Sequence, residues 1–209
     1  MPKIVSRKDI DSRLTFEEEG HVYMWDGRVV PSVTQAMKPI TKLWVSGDQL
    51  EFTRQQGQAI DAMIEFDVSG TLDEESLPAW MKPILASWRQ FVDETGFTLI
   101  EAKPRLYHMQ FGFAGEMDLV GTMSKIKRHN NYRFPQAAVI DIKRTIPKTA
   151  GVQTAAYMEL WNHSCDRPVI QRRFALSLNP YRLVEYTDKA DWNVFLACLT
   201  ITRHLEKNR

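Results

Sequence analysis

Near residue 96 the chain changes its hydrophobic period, and that change constrains what it can fold into. Upstream, Trp80, Ile84, Trp88, Phe91 and Val92 recur at helical spacing, and Gly96 can end such a helix. This aromatic stripe is expected to be a core face. Downstream, residues 97–102, 116–120 and 137–143 read as strands whose short connections allow an antiparallel meander. A helix is expected over 147–161, strands over 171–178 and 183–186, and a last helix from Asp188. Trp192, Phe195, Leu196 and Leu199 would line the apolar face of that last helix. The order helix, three strands, helix, one or two strands, helix predicts the α/β class, with a mixed sheet covered by helices.

The N-terminal part reads differently. Residues 14–16 and 21–25 are strand-like, Asp26-Gly27 is a turn signal, and residues 28–30 extend the hairpin. Pro31-Ser32-Val33-Thr34 looks like a helix start capped by Ser32 or Thr34, and a second helix is expected over 47–66. These elements either extend the core or form a lobe over it. No internal repeat or low-complexity tract interrupts the 209 residues.

Asp141 and Lys143 end a strongly apolar strand that leads straight into a helix. Strand side chains alternate, so Val139, Asp141 and Lys143 share one face while Ile140 and Ile142 point into the core. The acid-x-lysine triplet is weak alone, because Glu101-Ala102-Lys103 repeats it before Pro104. Asp118 on the preceding strand separates the two, since a hairpin would set it beside Asp141. Two carboxylates at close range repel unless a cation compensates, and oxygen ligands suit Mg²⁺ or Mn²⁺. Such a cation would polarise a phosphate and lower the pKa of a bound water. Lys143 could position that water, assist its deprotonation or offset transition-state charge. Gln153 and Tyr157, four residues apart, share a helix face and could reach a DNA backbone or steady the lysine.

The run Phe111-Gly-Phe-Ala-Gly-Glu-Met-Asp118, then Val139-Ile-Asp141-Ile-Lys143-Arg-Thr145, then Gln153-x-x-x-Tyr157 resembles the PD-(D/E)XK nuclease superfamily. It looks most like the RecB-type branch, which includes phage recombination exonucleases and shows Gly-x-x-Asp, Asp-x-Lys and Gln-x-x-x-Tyr in this order. The match spans about residues 97 to 160, and Pro31-Ser32-Val33-Thr34 is similar to the N-terminal part of phage-type members. The resemblance implies a restriction-endonuclease-like core over 76–209, with 1–75 as an N-terminal hairpin and helical extension of a single nuclease domain. It implies Asp118 and Asp141 as metal ligands, Lys143 as the catalytic lysine, and Gln153 and Tyr157 as the accessory motif. Glu101 falls where related enzymes often carry an acid. Where relatives carry Gly-x-x-x-His, this chain has Gly57-Gln-Ala-Ile-Asp61, so Asp61 could ligate through oxygen or the site could bind metal more weakly. Arg54, Arg144 and Lys148 are candidate phosphate contacts.

The implied activity is Mg²⁺- or Mn²⁺-dependent hydrolysis of DNA, more an exonuclease of phage or bacterial recombination and repair than an endonuclease, on duplex ends or single strands, with a possible recombination partner protein. Two other readings stay open: a DNA-binding protein on the nuclease fold without turnover, and an unrelated α/β interaction module whose acids and lysine are structural ion pairs. The net charge of +1 decides nothing, since phosphate-binding bases and metal-binding acids cancel in the sum. Local basic groups occur at Lys125, Lys127 and Arg128, at Lys143, Arg144 and Lys148, and at Arg172 and Arg173. With only Cys165 and Cys198, structural zinc is not expected and a four-cysteine iron–sulfur cluster is excluded. None of the five histidines shows ligand spacing. No apolar run approaches the roughly 20 residues of a membrane span, and the N-terminus lacks a signal-peptide core, so a cytoplasmic protein is expected.

Overall fold

Strand Gln136–Ile142 is apolar on both faces, and a strand of that kind must be covered on both sides. The computed structural model describes residues 10, 12–41, 47–125, 135–164 and 168–207, with the backbone alone over 47–53 and at 164. Ten strands are seen among the described residues: β1 (Leu14–Glu17), β2 (Val22–Trp25), β3 (Arg28–Val30), β4 (Phe97–Ala102), β5 (Arg105–His108), β6 (Phe113–Glu116), β7 (Leu119–Met123), β8 (Gln136–Ile142), β9 (Arg172–Leu178) and β10 (Tyr181–Tyr186). The helices are α1 (Val33–Ala36), α2 (Gly47–Ser69), α3 (Lys82–Thr95), α4 (Ala150–Ser164) and α5 (Ala190–Lys207). None is long and apolar enough to cross a membrane.

The main sheet has five strands in the order β10-β9-β8-β7-β4. β4, β7 and β8 form the antiparallel meander, and β9 then pairs parallel to β8. A parallel neighbour needs a crossover, and α4 lies on it. One face of β8 puts Val139 among Tyr157, Leu160 and Phe195, while the other puts Ile140 among Trp88, Phe91 and Phe174. The face carrying Val139 and Asp141 is therefore interior, not surface. The first cluster also takes in Tyr23, Trp25 and Val30 of the three-stranded β1-β2-β3 sheet.

Local signals account for several boundaries. Ser32 caps α1 with a reciprocal capping box: its hydroxyl accepts from the Gln35 N–H, and the Gln35 side chain accepts from the Ser32 N–H. Gly96 ends α3 in the left-handed region at φ 60°, where an L side chain is strained. Three expectations need correction. The strand over 116–120 is broken at Met117 and Asp118, and a hairpin of β5 and β6 stands between β4 and β7. The helix expected over 147–161, with its start near Lys148 or Thr149, begins at Ala150 and runs on to Ser164. Trp80 lies outside α3 and is 41% exposed, whereas Trp88 and Phe91 are fully buried.

Candidate active site

The β7–β8 register pairs Leu119 with Ile140, so one step beyond it Asp118 faces Asp141. The break between β6 and β7 frees Asp118 from the ladder, and two backbone contacts then fix it. Its carbonyl accepts from the Lys103 N–H at 2.9 Å, and its Oδ2 accepts from the Ile142 N–H at 2.6 Å. Across from it, Asp141 is 1% exposed, and its Oδ1 accepts from Lys143 Nζ at 2.9 Å. Oδ2 of Asp141 is buried without a hydrogen-bond partner among the described residues. A hydrogen bond between the two carboxyl groups requires one of them to hold a proton. With both ionised, that oxygen has no donor.

The electrostatics follow from this crowding. Burial, then the charge of Asp141, pushes Asp118 up to about 7, against the pull of Lys143. Burial also raises Asp141, opposed by Lys143. For Lys143, burial works against the ammonium, but the charges of Asp141 and Asp118 outweigh it and hold its pKa above the ordinary value. The pair is short of positive charge, and Lys143 alone does not neutralise it.

Asp118 and Lys143 open onto a cavity of about 400 Å³ that is also lined by Asp61, Trp80, Ile84 and Arg144. Asp61 thus comes to the site, but with a partner: its Oδ2 lies 2.8 Å from Lys103 Nζ. Burial raises the Asp61 pKa, and Lys103 opposes the rise. Among the described residues no group of three or more His, Cys, Asp or Glu side chains is arranged to hold a metal. The expected four-acid set of Asp61, Glu101, Asp118 and Asp141 is thus not gathered into one cluster among the described residues. Glu101 sits on β4 opposite Val120, after a register shift, and does not line the cavity. Mg²⁺ is commonly held by one or two carboxylates with waters and substrate phosphate completing its shell, so the pair and its orphaned oxygen fit such an ion.

Gln153 and Tyr157 are buried, which withdraws them from a DNA backbone. Gln153 Nε2 donates to Tyr157 Oη at 2.9 Å, and burial, then the charges of Asp141 and Asp118, holds the Tyr157 pKa well above its usual value. The tyrosine therefore remains a neutral group behind the carboxylates. The motif glycine Gly115 permits this packing, because a Cβ there would meet Leu160 and Val33 at 3.0 Å and the Tyr157 ring at 3.4 Å.

The basic candidates divide. Lys143 and Arg144 line the cavity. Lys148 is exposed but lies outside it, and Arg54 reaches Glu18 at 2.8 Å instead. Arg172 and Arg173 are buried, the first on Glu185 and the second on Asp191 and the Gly151 and Asp188 carbonyls, so they offer no phosphate path. Lys125 pairs with Asp93. Lys127, Arg128, His129 and Cys165 lie outside the described residues. Cys198 is a buried free thiol.

Two residues of the site escape the sequence reading. Lys103 was the idle half of a repeated triplet, and nothing in the sequence places it on Asp61. Trp80 left a signal: Pro83 sits in the first turn of α3, as prolines at helix starts do, which leaves Trp80 outside the helix.

No protein-family model matches the chain. No curated protein matches it. Among solved structures it is similar to an alkaline exonuclease from Laribacter hongkongensis, at 14% identity over 85% of this chain and 91% of that chain, with a TM-score of 0.29. The same enzyme in complex with dAMP gives 14% identity, coverage of 86% and 92%, and a TM-score of 0.30. Likeness at that level fixes neither the core arrangement nor the activity.

Proposed function

We propose that this chain is a Mg²⁺- or Mn²⁺-dependent deoxyribonuclease of the PD-(D/E)XK type, acting as an exonuclease in recombination or repair. The observation that carries the reading is the pair of half-buried Asp118 and buried Asp141 with Lys143 bound to it, where Asp118 and Lys143 line a cavity. A structural ion-pair cluster would match its charges, whereas this pair, once both members ionise, sets two carboxylates against one ammonium and leaves Asp141 Oδ2 without a donor. The motif order of the sequence points the same way.

Asp118 and Asp141 would hold the cation, which when bound withdraws charge from the scissile phosphate and acidifies a water. The chain's own groups do the rest. The Ile142 N–H and the Lys103 N–H fix Asp118, so the ligand geometry is set by backbone and needs no rearrangement. Lys143, held on Asp141, presents an ammonium at the cavity, where it can orient the attacking water and offset charge gathering on the phosphoryl oxygens. Gln153 and Tyr157 bond each other in the buried layer next to the carboxylates, where the uncharged tyrosine would act as a positioning residue through its packing. Arg144 supplies a phosphate contact at the rim.

A second reading has one observation in its favour. Asp61 is already engaged by Lys103, so the third acid is not free, and a protein that binds DNA with little turnover would follow. Incubation with end-labelled linear and covalently closed DNA, in Mg²⁺, Mn²⁺ or EDTA, separates these readings. The expected result is metal-dependent loss from ends that Lys143→Ala abolishes while DNA retention persists. Cleavage of closed DNA turns the assignment to an endonuclease. Retention without cleavage favours the binding protein. Cleavage untouched by Lys143→Ala removes the site assignment.

A further inference from the structure

Trp80 occupies an unusual position for a tryptophan. The other aromatic residues of the same stripe are buried in the core, with Trp88 and Phe91 at 0% exposure, yet Trp80 stands in the turn before α3 at 41%. It lines the cavity that also holds Asp118 and Lys143. The cavity therefore has two kinds of lining. Asp61, Asp118, Lys143 and Arg144 are charged and suit a metal-bound phosphate. Ile60, Trp80, Ile84 and Leu178 are apolar and suit something flat and poorly hydrated.

We propose that Trp80 is the stacking platform for one unpaired nucleobase, that of the nucleotide whose phosphate meets Asp118 and Lys143. The inference rests on the nuclease reading above and gives it a substrate form: a single nucleotide separated from its partner strand. Three observations argue for this occupant. The apolar lining is continuous with the charged one, so a ligand filling the cavity spans both. The volume of about 400 Å³ lies near the low end of the roughly 300–1,000 Å³ typical of small-molecule sites, which suits one nucleoside. Finally, an aromatic face accepts any base, which matches a reaction that must proceed through every sequence. Trp80 would thus set the requirement for an unpaired base, while Asp118, Asp141 and Lys143 act on the phosphate.

The test compares oligonucleotides of natural sequence with ones lacking bases at their terminal nucleotides, on wild type, Trp80→Ala and Trp80→Phe. Melting curves confirm that each variant is folded. The expected wild-type preference for the natural end is about tenfold to a hundredfold in kcat/KM, the effect of one aromatic–base stack. Trp80→Ala removes that preference, and Trp80→Phe restores most of it. Equal preference in wild type and Trp80→Ala overturns the stacking role while leaving the nuclease reading intact. If wild type cleaves no DNA, the nuclease reading fails. Anisotropy of the same labelled single strands then decides the stacking role alone. Tighter binding of the natural strand, lost in Trp80→Ala, upholds it, and equal binding overturns it.

Discussion

Lys103 Nζ lies 2.8 Å from Asp61 Oδ2, at the edge of the cavity where Asp118 also opens. The lysine reaches it from a strained backbone, with φ at 50°, a region that costs a residue with a side chain about 1 kcal/mol or more. The same backbone turn points the Lys103 N–H at the Asp118 carbonyl. One residue thus holds the backbone of Asp118, a member of the candidate metal pair, and neutralises the neighbouring acid Asp61.

A double-mutant cycle tests the second role. Asp61 and Lys103 are each only partly exposed, so the pair stands between a surface and a buried ion pair. Lys103→Met strands the Asp61 carboxylate and should lower stability by about 1–2 kcal/mol. Adding Asp61→Asn should recover most of that loss, because no charge is then left unpaired. Urea denaturation of the four proteins reads the coupling. Additive effects would mean that the contact contributes nothing.

The sequence carried the meander, the helix order and the facing of Asp118 and Asp141, because each follows from strand alternation and an apolar run. It did not reveal that Asp141 itself lies in the covered interior. An interior acid and a surface acid have the same letter, and only the packing of α4 over Val139 and Asp141 distinguishes them. The β5–β6 hairpin was hidden because Leu106 and Tyr107, like Phe113 and Ala114, are buried side by side without the usual alternation. Lys103 escaped for another reason: its role depends on a positive φ and a partner forty-two residues upstream, neither of which leaves a local pattern.

The carboxylate pair predicts a pH dependence that a cation should remove. Burial and the charge of Asp141 raise Asp118 to about 7, above its unfolded value. The native state then binds a proton more tightly than the unfolded chain, so stability falls as pH rises from about 4 toward about 7. In EDTA, urea midpoints should drop over that window. Mg²⁺ should restore them at pH 8 by offsetting the ionised pair, and Asp118→Asn should flatten the EDTA profile. An unchanged slope in Asp118→Asn would mean that Asp118 is not the group responsible.

His108 predicts the opposite slope in a different part of the fold. It is 1% exposed, stacks on His163 at 4.0 Å between ring centroids, and is surrounded by Phe111, Phe113 and Trp192. Its Nδ1 accepts from the Phe111 N–H at 3.3 Å, which requires an unprotonated nitrogen. Burial, then the charge of His163, pulls its pKa down to about 3, while burial alone lowers His163. The unfolded chain therefore binds protons that the native state refuses. Stability is full above about 6.5 and is lost as pH falls toward 3, by roughly 3 kcal/mol at pH 4. His108→Phe should shrink that acid loss even though it gives up the Phe111 contact, and a metal chelator should not alter it. Because the His108 slope rises with pH and the Asp118 slope falls, the metal-free protein should be most stable between the two. Asp118→Asn should move that maximum upward in pH, and His108→Phe should move it downward. Urea midpoints of both variants across pH 4 to 8 check the two shifts independently.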